Sequence, residues 1–115
     1  MNKPFLKIDE INKIHISDNF FVIKDKFPVS ENHLLIISKR KVIDYFNLNN
    51  SEKEELFKVI DKCKEIIEIK NKPDGFNIGM NCGKSAGQTI MHFHCHVIPR
   101  YKGDMKKPEG GIRHC

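Results

Sequence analysis

The sequence predicts an α+β domain in which one main amphipathic helix packs on a mostly antiparallel sheet. Two observations predict this class. Apolar runs rich in aromatic and β-branched residues, at positions 20–23 and 33–38, are typical of strands. Positions 51–70 instead carry apolar residues at three- and four-residue spacing, which is typical of a helix. With 115 residues, 39% hydrophobic and 30% charged, the chain has the size and composition of a single globular domain over 1–115.

The first half of the chain predicts a β-hairpin. Its two strands are expected at 20–23 and 33–38. The polar stretch 25–32 between them contains Pro28 and is too irregular to pair throughout. A further short strand is expected at 14–17.

A helix follows the hairpin. Ser51, with Glu54 three residues later, forms a capping-box pattern and predicts the start of the helix. The helix should end before the breaker cluster at 71–75, which contains Pro73 and Gly75. The apolar stripe that should face the sheet consists of Leu56, Val59, Ile60, Cys63 and Ile67.

The second half predicts two more strands on either side of a glycine-rich loop. Residues 76–80 alternate apolar with small or polar side chains, and 89–98 form the other strand, which Pro99 should end. The loop between them covers 81–88. Beyond Tyr101 the chain shows no periodicity, and it stops abruptly at Cys115, so we expect its last element to be truncated.

The composition narrows the function classes. The chain has 20 basic and 15 acidic residues, so its net charge of +5 favours an anionic ligand only weakly. No basic stripe interleaved with aromatic residues indicates a nucleic-acid partner, and no apolar stretch is long enough to span a membrane. We expect a cytoplasmic protein with free thiols, because no leader is evident and no CxxC pair is formed by Cys63, Cys82, Cys95 and Cys115.

The most informative stretch is residues 92–96, in which His92, His94 and His96 alternate with Phe93 and Cys95. Side chains alternate faces along an extended strand, so the three imidazoles should project from one face. A hydrophobic core would not place three polar rings in a row. Either these rings bind a metal, or one of them does chemistry while the others hold it.

A metal site is the weaker of these two interpretations. Rings at i, i+2 and i+4 spread over roughly 13 Å of strand, whereas zinc–nitrogen bonds are about 2.0–2.1 Å. One ion could take two of the rings but hardly all three, and a further ligand would have to be His33 or His15, with no carboxylate nearby in sequence. A neutral imidazole can instead attack phosphorus covalently, provided that its other nitrogen carries a hydrogen aimed at a fixed acceptor.

The loop before the histidines predicts a phosphate site. Residues 79–85 resemble a phosphate-binding loop, but only three residues separate Gly79 from Gly83, and the loop runs into a strand instead of a helix. Gly83, Ser85 and Gly87 should nevertheless leave backbone N–H groups free to approach an anion. The polar side chains in place to bind phosphate oxygens are Asn81, Ser85, Gln88 and Thr89.

Residues 92–98 resemble the signature of the histidine triad family, His-φ-His-φ-His-φ-φ with φ apolar. The resemblance continues upstream through 87–89 and downstream through 99–104, and it includes the earlier strand that starts at His33, so that it spans roughly 20–104. It implies a sheet of about five antiparallel strands with helices, usually assembled as a homodimer. It also implies hydrolysis or transfer of nucleoside monophosphates by attack at the α-phosphorus.

The resemblance implies a role for each matching residue. His94, the middle triad member, would be the nucleophile that becomes nucleotidylated, and His96 would contact the phosphate oxygens and assist the leaving group. His92 and His33 would form a supporting hydrogen-bond network. Asp25, eight residues before His33, would bind the ribose hydroxyls. The phosphate side of the substrate would be bound by Asn81, Gln88 and Thr89.

Two branches of the family differ in how well their characteristic sequences match this chain. Residues 99–104, Pro-Arg-x-x-Gly-Asp, resemble the fragile histidine triad branch, which cleaves dinucleoside polyphosphates, and the tail 110–113 places Arg113 where it could reach a polyphosphate. The phosphoramidase branch usually has a Trp-containing C-terminus, and this chain has no Trp. We therefore expect diadenosine polyphosphate hydrolysis. The alternatives are a purine nucleoside phosphoramidase and a nucleotide-binding module with negligible turnover.

The resemblance implies no cofactor held by the protein. The N-terminal cysteine pair that often binds zinc in the family is absent, so no structural metal is expected. A divalent cation would enter only with the substrate phosphates. Phe21 or Ile23 could sandwich the base, although core packing explains them equally well. The expected partners are the nucleotide substrate and a second copy of the chain.

Overall fold

The computed structural model describes Phe5 and residues 8–109. Five strands form an antiparallel sheet in the order β1-β2-β3-β5-β4, and a long helix connects β3 to β4. The predicted α+β class, with an antiparallel sheet and one main helix, is confirmed in this part of the chain. The elements are β1 (His15–Ile16), β2 (Phe20–Lys24), β3 (Leu34–Ser38), α1 (Asn50–Lys70), β4 (Gly75–Gly79) and β5 (His94–Arg100), with 3-10 turns at Glu10–Asn12, Tyr45–Asn47 and Lys84–Ala86.

The strand β5, which carries the histidines, lies in the interior of the sheet between β3 and β4. His94 pairs with Ile37 and His96 pairs with Leu35. Directly paired residues point to the same face of a sheet, so both imidazoles share a face with these two apolar side chains. On the other side of β5, His96 pairs with Gly79, which has no side chain to crowd it.

The two faces of the sheet carry separate hydrophobic clusters. The face opposite to the histidines is covered by α1, whose predicted stripe packs there, with Ile60 at its margin. Phe93 and Cys95 belong to this larger cluster. The histidine face carries a smaller cluster of buried residues, formed by Phe5, Phe21, Leu35 and Ile37. The helix therefore builds the main core on one face, and the chemistry-bearing side chains occupy the other.

The helix begins earlier than the sequence predicted. Asn49 is the N-cap, and its side chain accepts the Glu52 N–H at 2.8 Å, while Glu52 accepts the Asn49 N–H at 2.8 Å. The capping box therefore lies two residues before the predicted pair of Ser51 and Glu54. The predicted end is confirmed, because the last helical residue is Lys70.

The strands β1 to β4 lie within one residue of their predicted bounds, but the predicted bounds of β5 are wrong at both ends. Residues before His94 leave the sheet because the Phe93 N–H donates to the Val42 carbonyl at 2.7 Å. Pro99 does not end the strand. The strand β3 pairs with β5 only as far as Val97, so the missing N–H of Pro99 removes no hydrogen bond to β3.

Within the described residues, no helix combines the length and apolar character that crossing a membrane requires.

Candidate active site

The three triad rings form a row on one face, although His92 precedes the strand. The ring centroids of His94 and His96 are 5.4 Å apart, and Phe5 lies edge-on to His92 at 5.5 Å and to His94 at 5.3 Å. The predicted common face is thus confirmed. The contact with Phe5 was missed, because Phe5 lies outside every periodic segment of the sequence.

His94 is held in a single orientation by the residue two positions before it. Its Nδ1 atom lies 2.9 Å from the backbone carbonyl oxygen of His92. A carbonyl only accepts hydrogen bonds, so Nδ1 carries the hydrogen and Nε2 keeps a free lone pair when the ring is neutral. His94 is half-buried, whereas His92 and His96 are buried. It is therefore the triad member whose lone pair is best placed to meet a ligand.

His92 is fixed by a bond to the end of β3. Its Nε2 atom donates to the Ser38 carbonyl at 2.8 Å. Burial lowers the pKa of His92, and the charges of His94 and Lys41 lower it further, while the Ser38 bond opposes this. A neutral, hydrogen-bonded His92 can hold the backbone carbonyl that orients His94.

His96 belongs to a different group of side chains. Its Nδ1 atom lies 2.9 Å from Nε2 of His33, and that Nε2 lies 3.2 Å from Oδ2 of Asp25. The Val29 N–H donates to Nδ1 of His33 at 3.0 Å, so a neutral His33 carries its hydrogen on Nε2. When His33 donates that hydrogen to His96, the Nε2 of a neutral His96 carries a hydrogen that can be donated to a phosphate oxygen.

Burial is the main electrostatic influence on this group. It lowers the pKa of His96 to about 3, with further lowering from His94 and His33. Burial also lowers the pKa of His33; the Asp25 charge opposes this, and Arg100 adds to it. Both rings are therefore held neutral near pH 7, which suits hydrogen-bond donation more than ionic attraction.

The structure separates two residues that the sequence reasoning had joined. His92 and His33 were expected to form one supporting network, but His92 bonds to Ser38 and His33 bonds to His96. The reason is the length of β3. His33 immediately precedes the start of that strand and Ser38 ends it, so roughly 15 Å of extended chain lies between the two supports.

The same group offers the metal-binding geometry that the sequence did not suggest. One ligand atom each from Asp25, His33 and His96 lies within 4.8 Å of the others. Only one triad member takes part, in keeping with the distance argument against three. The carboxylate that seemed absent from the sequence neighbourhood is supplied by the loop between β2 and β3. These atoms can serve either a metal ion or a proton-holding network.

The glycine-rich loop does not offer the free N–H groups predicted for Gly83 and Gly87. The Gly83 N–H donates to Oε1 of Gln88 at 2.7 Å, and the Gly87 N–H donates to the Lys84 carbonyl at 2.9 Å. The prediction is wrong for these two groups because the loop closes on itself. The φ angles of Gly83 and Gly87, 94° and 98°, explain why glycine occupies both turn positions.

The four residues predicted to bind phosphate oxygens have different surroundings, and Ser85 among them is exposed. Asn81 is half-buried, and its Nδ2 atom lies at a weak 3.4 Å from the Gly87 carbonyl. Thr89 is exposed. Gln88 is buried, and its amide already bonds to the protein. Asn81 and Thr89 can thus turn to a ligand at little cost, and their phosphate roles stay predictions.

The residues predicted to meet the base lie on the histidine face. Phe21 is buried in the cluster with Phe5, and Ile23 packs against it half-buried. Both residues therefore support the floor of this face, and contact with a base stays a prediction. The predicted polyphosphate contact of Arg113 and the tail 110–113 lie outside the described residues.

Comparison with known proteins gives consistent matches. Residues 9–103 match the family model of the HIT domain. An AP-4-A phosphorylase of Mycobacterium tuberculosis is 34% identical over 85 residues, which cover 73% of this chain and 44% of that protein. A bis(5'-nucleosyl)-tetraphosphatase (asymmetrical) of Schizosaccharomyces pombe is 38% identical over 80 residues, covering 70% of this chain and 44% of that protein. The chain spans about half the length of the curated relatives it matches.

The fold is also found among solved structures. A hypothetical histidine triad nucleotide-binding protein from Sulfolobus tokodaii aligns with a TM-score of 0.75 at 36% identity, over 80% of this chain and 62% of that one. The predicted five-stranded fold and the predicted family are therefore both confirmed.

Proposed function

This chain belongs to the HIT domain family, and from that premise we propose that it is a hydrolase or transferase that attacks the α-phosphorus of nucleotides through His94. Dinucleoside polyphosphates, and diadenosine polyphosphates in particular, are the proposed substrates. The names of two relatives support this class, since one is an AP-4-A phosphorylase and the other a bis(5'-nucleosyl)-tetraphosphatase.

The observation that carries the proposal is the 2.9 Å contact between Nδ1 of His94 and the His92 carbonyl. It leaves the Nε2 lone pair of His94 free on a half-buried ring. A nucleophile needs this combination of a defined tautomer and access to the substrate. His92, which is itself bonded to Ser38, keeps the orienting carbonyl in place.

The reaction proceeds in two displacements. Nε2 of His94 forms a bond to the α-phosphorus while the bond from phosphorus to the bridging oxygen breaks, and the electron pair leaves with the departing nucleotide. The Nε2–H of His96 donates to the oxygens on which charge develops. Water then attacks the same phosphorus, the phosphorus–nitrogen bond breaks, and the proton of water passes to solvent. The nucleoside monophosphate is released as a product, and the electron pair of the broken bond returns to Nε2, which regenerates neutral His94.

The remaining contacts are proposed from position and chemistry. The Asp25 carboxylate can accept hydrogen bonds from the two ribose hydroxyls. Asn81 and Thr89 supply an amide and a hydroxyl for the phosphate oxygens. The base would lie along the apolar histidine face, next to Phe5. No metal is assigned a step, although the group of Asp25, His33 and His96 has the spacing to bind one.

A homodimer in the cytoplasm is the proposed state of the protein. Support for the dimer comes from β4, which pairs with β5 on one side and forms an edge of the described sheet. An edge strand of this kind presents backbone groups that another chain can pair with, and Ile78 on it is half exposed. Support for a reducing compartment comes from the free thiols Cys63, Cys82 and Cys95. Sedimentation at micromolar concentration tests the dimer directly.

The decisive experiment compares turnover by the chelator-treated protein and its His94→Ala variant. We expect the variant to lose about a thousandfold or more of the activity on a diadenosine polyphosphate, with unchanged circular dichroism and retained binding of adenosine monophosphate. His15→Ala, which removes a histidine from β1, is the matched control and should keep full activity. Near-native rates for His94→Ala would rule out the nucleophile.

The substrate class is tested with the same preparations. Rates on a diadenosine polyphosphate and on an adenosine phosphoramidate are measured side by side. A higher kcat/KM on the polyphosphate is expected. A preference for the phosphoramidate would move the protein to that activity, and no turnover of either, with intact binding, would make it a nucleotide-binding module.

A further inference from the structure

The side-chain amide of Gln88 forms hydrogen bonds to the protein through its oxygen and through its nitrogen. Gln88 is 3% exposed. Its Oε1 atom accepts the Gly83 N–H at 2.7 Å, and its Nε2 atom donates to the carbonyls of Ile43 at 2.7 Å and Ile90 at 3.0 Å. An amide has two N–H hydrogens, so both are taken. The Gln88 amide could donate to a phosphate only if one of these two carbonyls lost its partner.

These bonds join three separate stretches of chain. Gly83 opens the 3-10 turn of the glycine-rich loop, and the Gln88 N–H closes that loop by donating to the Gly83 carbonyl at 3.0 Å. Ile43 lies in the segment that follows β3. Ile90 lies just before the triad. One side chain therefore fixes the loop, the segment after β3 and the approach to His92 relative to one another.

The same segment after β3 holds the triad itself. The Phe93 N–H donates to the Val42 carbonyl at 2.7 Å, one residue from the carbonyl that Gln88 binds. Nε2 of His92 donates to the Ser38 carbonyl at 2.8 Å. Residues 88–93 are thus anchored along residues 38–43 at three carbonyls, and the last residues of this stretch carry the carbonyl that orients His94.

We propose that Gln88 is a positioning residue that holds the glycine-rich loop and the backbone entering β5, and thereby the orientation of His94, and that it does not bind the substrate phosphate. The inference rests on the proposed function in taking His94 as the nucleophile. It differs from the role expected from the family resemblance, in which this amide contacts phosphate. The two roles can be distinguished because substituting a positioning residue changes the orientation of His94 even when no substrate is bound.

The test uses Gln88→Met, which keeps the length of the side chain and removes its hydrogen bonds. Nitrogen-15 NMR of the histidine rings follows the Nδ1–H signal of His94 in the substrate-free protein. We expect this signal to shift or to broaden through faster solvent exchange. We also expect kcat to fall about tenfold to a hundredfold, while the dissociation constant for adenosine monophosphate stays within about threefold.

Val59→Ala is the control for stability alone. Val59 lies on the buried face of α1, in the main core, so its truncation should destabilise the protein without changing the His94 signal at a temperature well below unfolding. The Val59→Ala variant therefore shows how the His94 signal responds when the protein loses stability but the site is not repositioned. Where Gln88→Met does not fold, Gln88→Glu serves the same test, because it keeps an acceptor for the Gly83 N–H and loses both donors.

The possible results of this test distinguish a positioning role of Gln88 from a phosphate-binding role. An unchanged His94 signal in the Gln88 variant overturns the proposal, and an unchanged signal with at least tenfold weaker binding of adenosine monophosphate identifies Gln88 as a phosphate ligand. If the protein turns over no nucleotide at all, the proposed function fails, yet the His94 signal of the substrate-free protein still decides the role of Gln88.

Discussion

The Nε2 atom of His33 lies 2.9 Å from the Nδ1 atom of His96, and both rings are buried. Two imidazoles at this distance share one hydrogen, and protonating either ring places a positive charge on a buried group, which burial disfavours. This pair therefore links the protonation of the site to the stability of the fold.

The first prediction concerns stability and pH. Burial, with His94 and His33, lowers the pKa of His96 to about 3, below the value of about 6.5 for an unfolded histidine. Between these pH values the unfolded chain binds a proton that the folded protein does not. The free energy of unfolding should thus fall on acidification, by about 1.4 kcal/mol per pH unit for this group once the pH is well below 6.5.

Urea unfolding at pH 7.5, 6.5, 5.5 and 5.0 measures this dependence. His96→Asn should show a shallower loss of stability in acid, by about one proton's contribution. Ile67→Val, a change on the buried face of α1, is the control; it should lower stability at every pH without altering the slope. A His96→Asn protein with the wild-type slope would mean that His96 is not kept neutral in the fold.

The second prediction concerns Asp25, which meets both a proposed ribose and the histidine pair. Asp25→Asn should raise KM for a diadenosine polyphosphate about tenfold, because a neutral amide holds hydroxyl groups less strongly than a carboxylate does. Burial lowers the pKa of His33 and the Asp25 charge opposes it, so removing that charge should lower this pKa further. The acidic limb of the kcat profile, measured from pH 5 to 9, should then move to lower pH.

Asp44→Asn is the matched control for Asp25. Oδ1 of Asp25 accepts the Phe27 N–H at 2.8 Å, and Oδ1 of Asp44 makes the same type of turn with the Phe46 N–H at 2.9 Å. The control should leave both kinetic constants unchanged. If Asp25→Asn changes KM but not the pH profile of kcat, Asp25 acts only in binding the ribose. If Asp25→Asn leaves KM unchanged, Asp25 does not bind the ribose.

The third prediction concerns the thiols. Burial raises the pKa of both Cys63 and Cys95 to about 12, and the nearby Cys95 adds to the effect on Cys63. Only the thiolate reacts with alkylating reagents. Iodoacetamide at pH 8 should therefore modify half-buried Cys82 long before either core thiol. Peptide mapping by mass spectrometry assigns each site, and rapid labelling of Cys63 in the folded protein would contradict the buried placement.

The sequence predicted those parts of the fold that follow from local periodicity. The period of two in residues 92–96 placed His94 and His96 on one face of a strand. The three- and four-residue spacing of Leu56, Val59 and Cys63 placed the helix against the other face. Such patterns are visible because the residues that share a face recur at fixed intervals.

The contacts that complete the site depend on the register of strand pairing and on bonds between distant stretches of chain, which could not be predicted in this way. Asp25 meets His33 and His96 because Lys24 pairs with Leu34 in the hairpin of β2 and β3. This pairing places Asp25 directly opposite His33, where the Asp25 N–H donates to the His33 carbonyl at 2.9 Å. Gln88 appeared to be a phosphate ligand because its neighbours are polar, whereas its bond to Ile43 joins residues 45 positions apart. No interval in the sequence indicates either contact.

The helix start shows how a distant contact decides between two equal local patterns. Asn49 with Glu52, and Ser51 with Glu54, both match a capping box. Arg40 selects the first, since its guanidinium binds both carboxylate oxygens of Glu52, at 2.8 and 3.1 Å. The Arg40 hydrogen bond is also the main reason that the pKa of Glu52 is lowered.

The fourth prediction follows from that selection. Asn49→Ala removes the side chain that accepts the Glu52 N–H and should lower the free energy of unfolding by about 1 kcal/mol. Ser51→Ala, at the position the sequence favoured, should change it by no more than a few tenths of a kcal/mol. Urea unfolding of the two variants and the wild type at pH 7.5 measures both values. A larger loss for Ser51→Ala than for Asn49→Ala would place the N-cap at Ser51, and Glu52 would then be held in the fold by Arg40 alone.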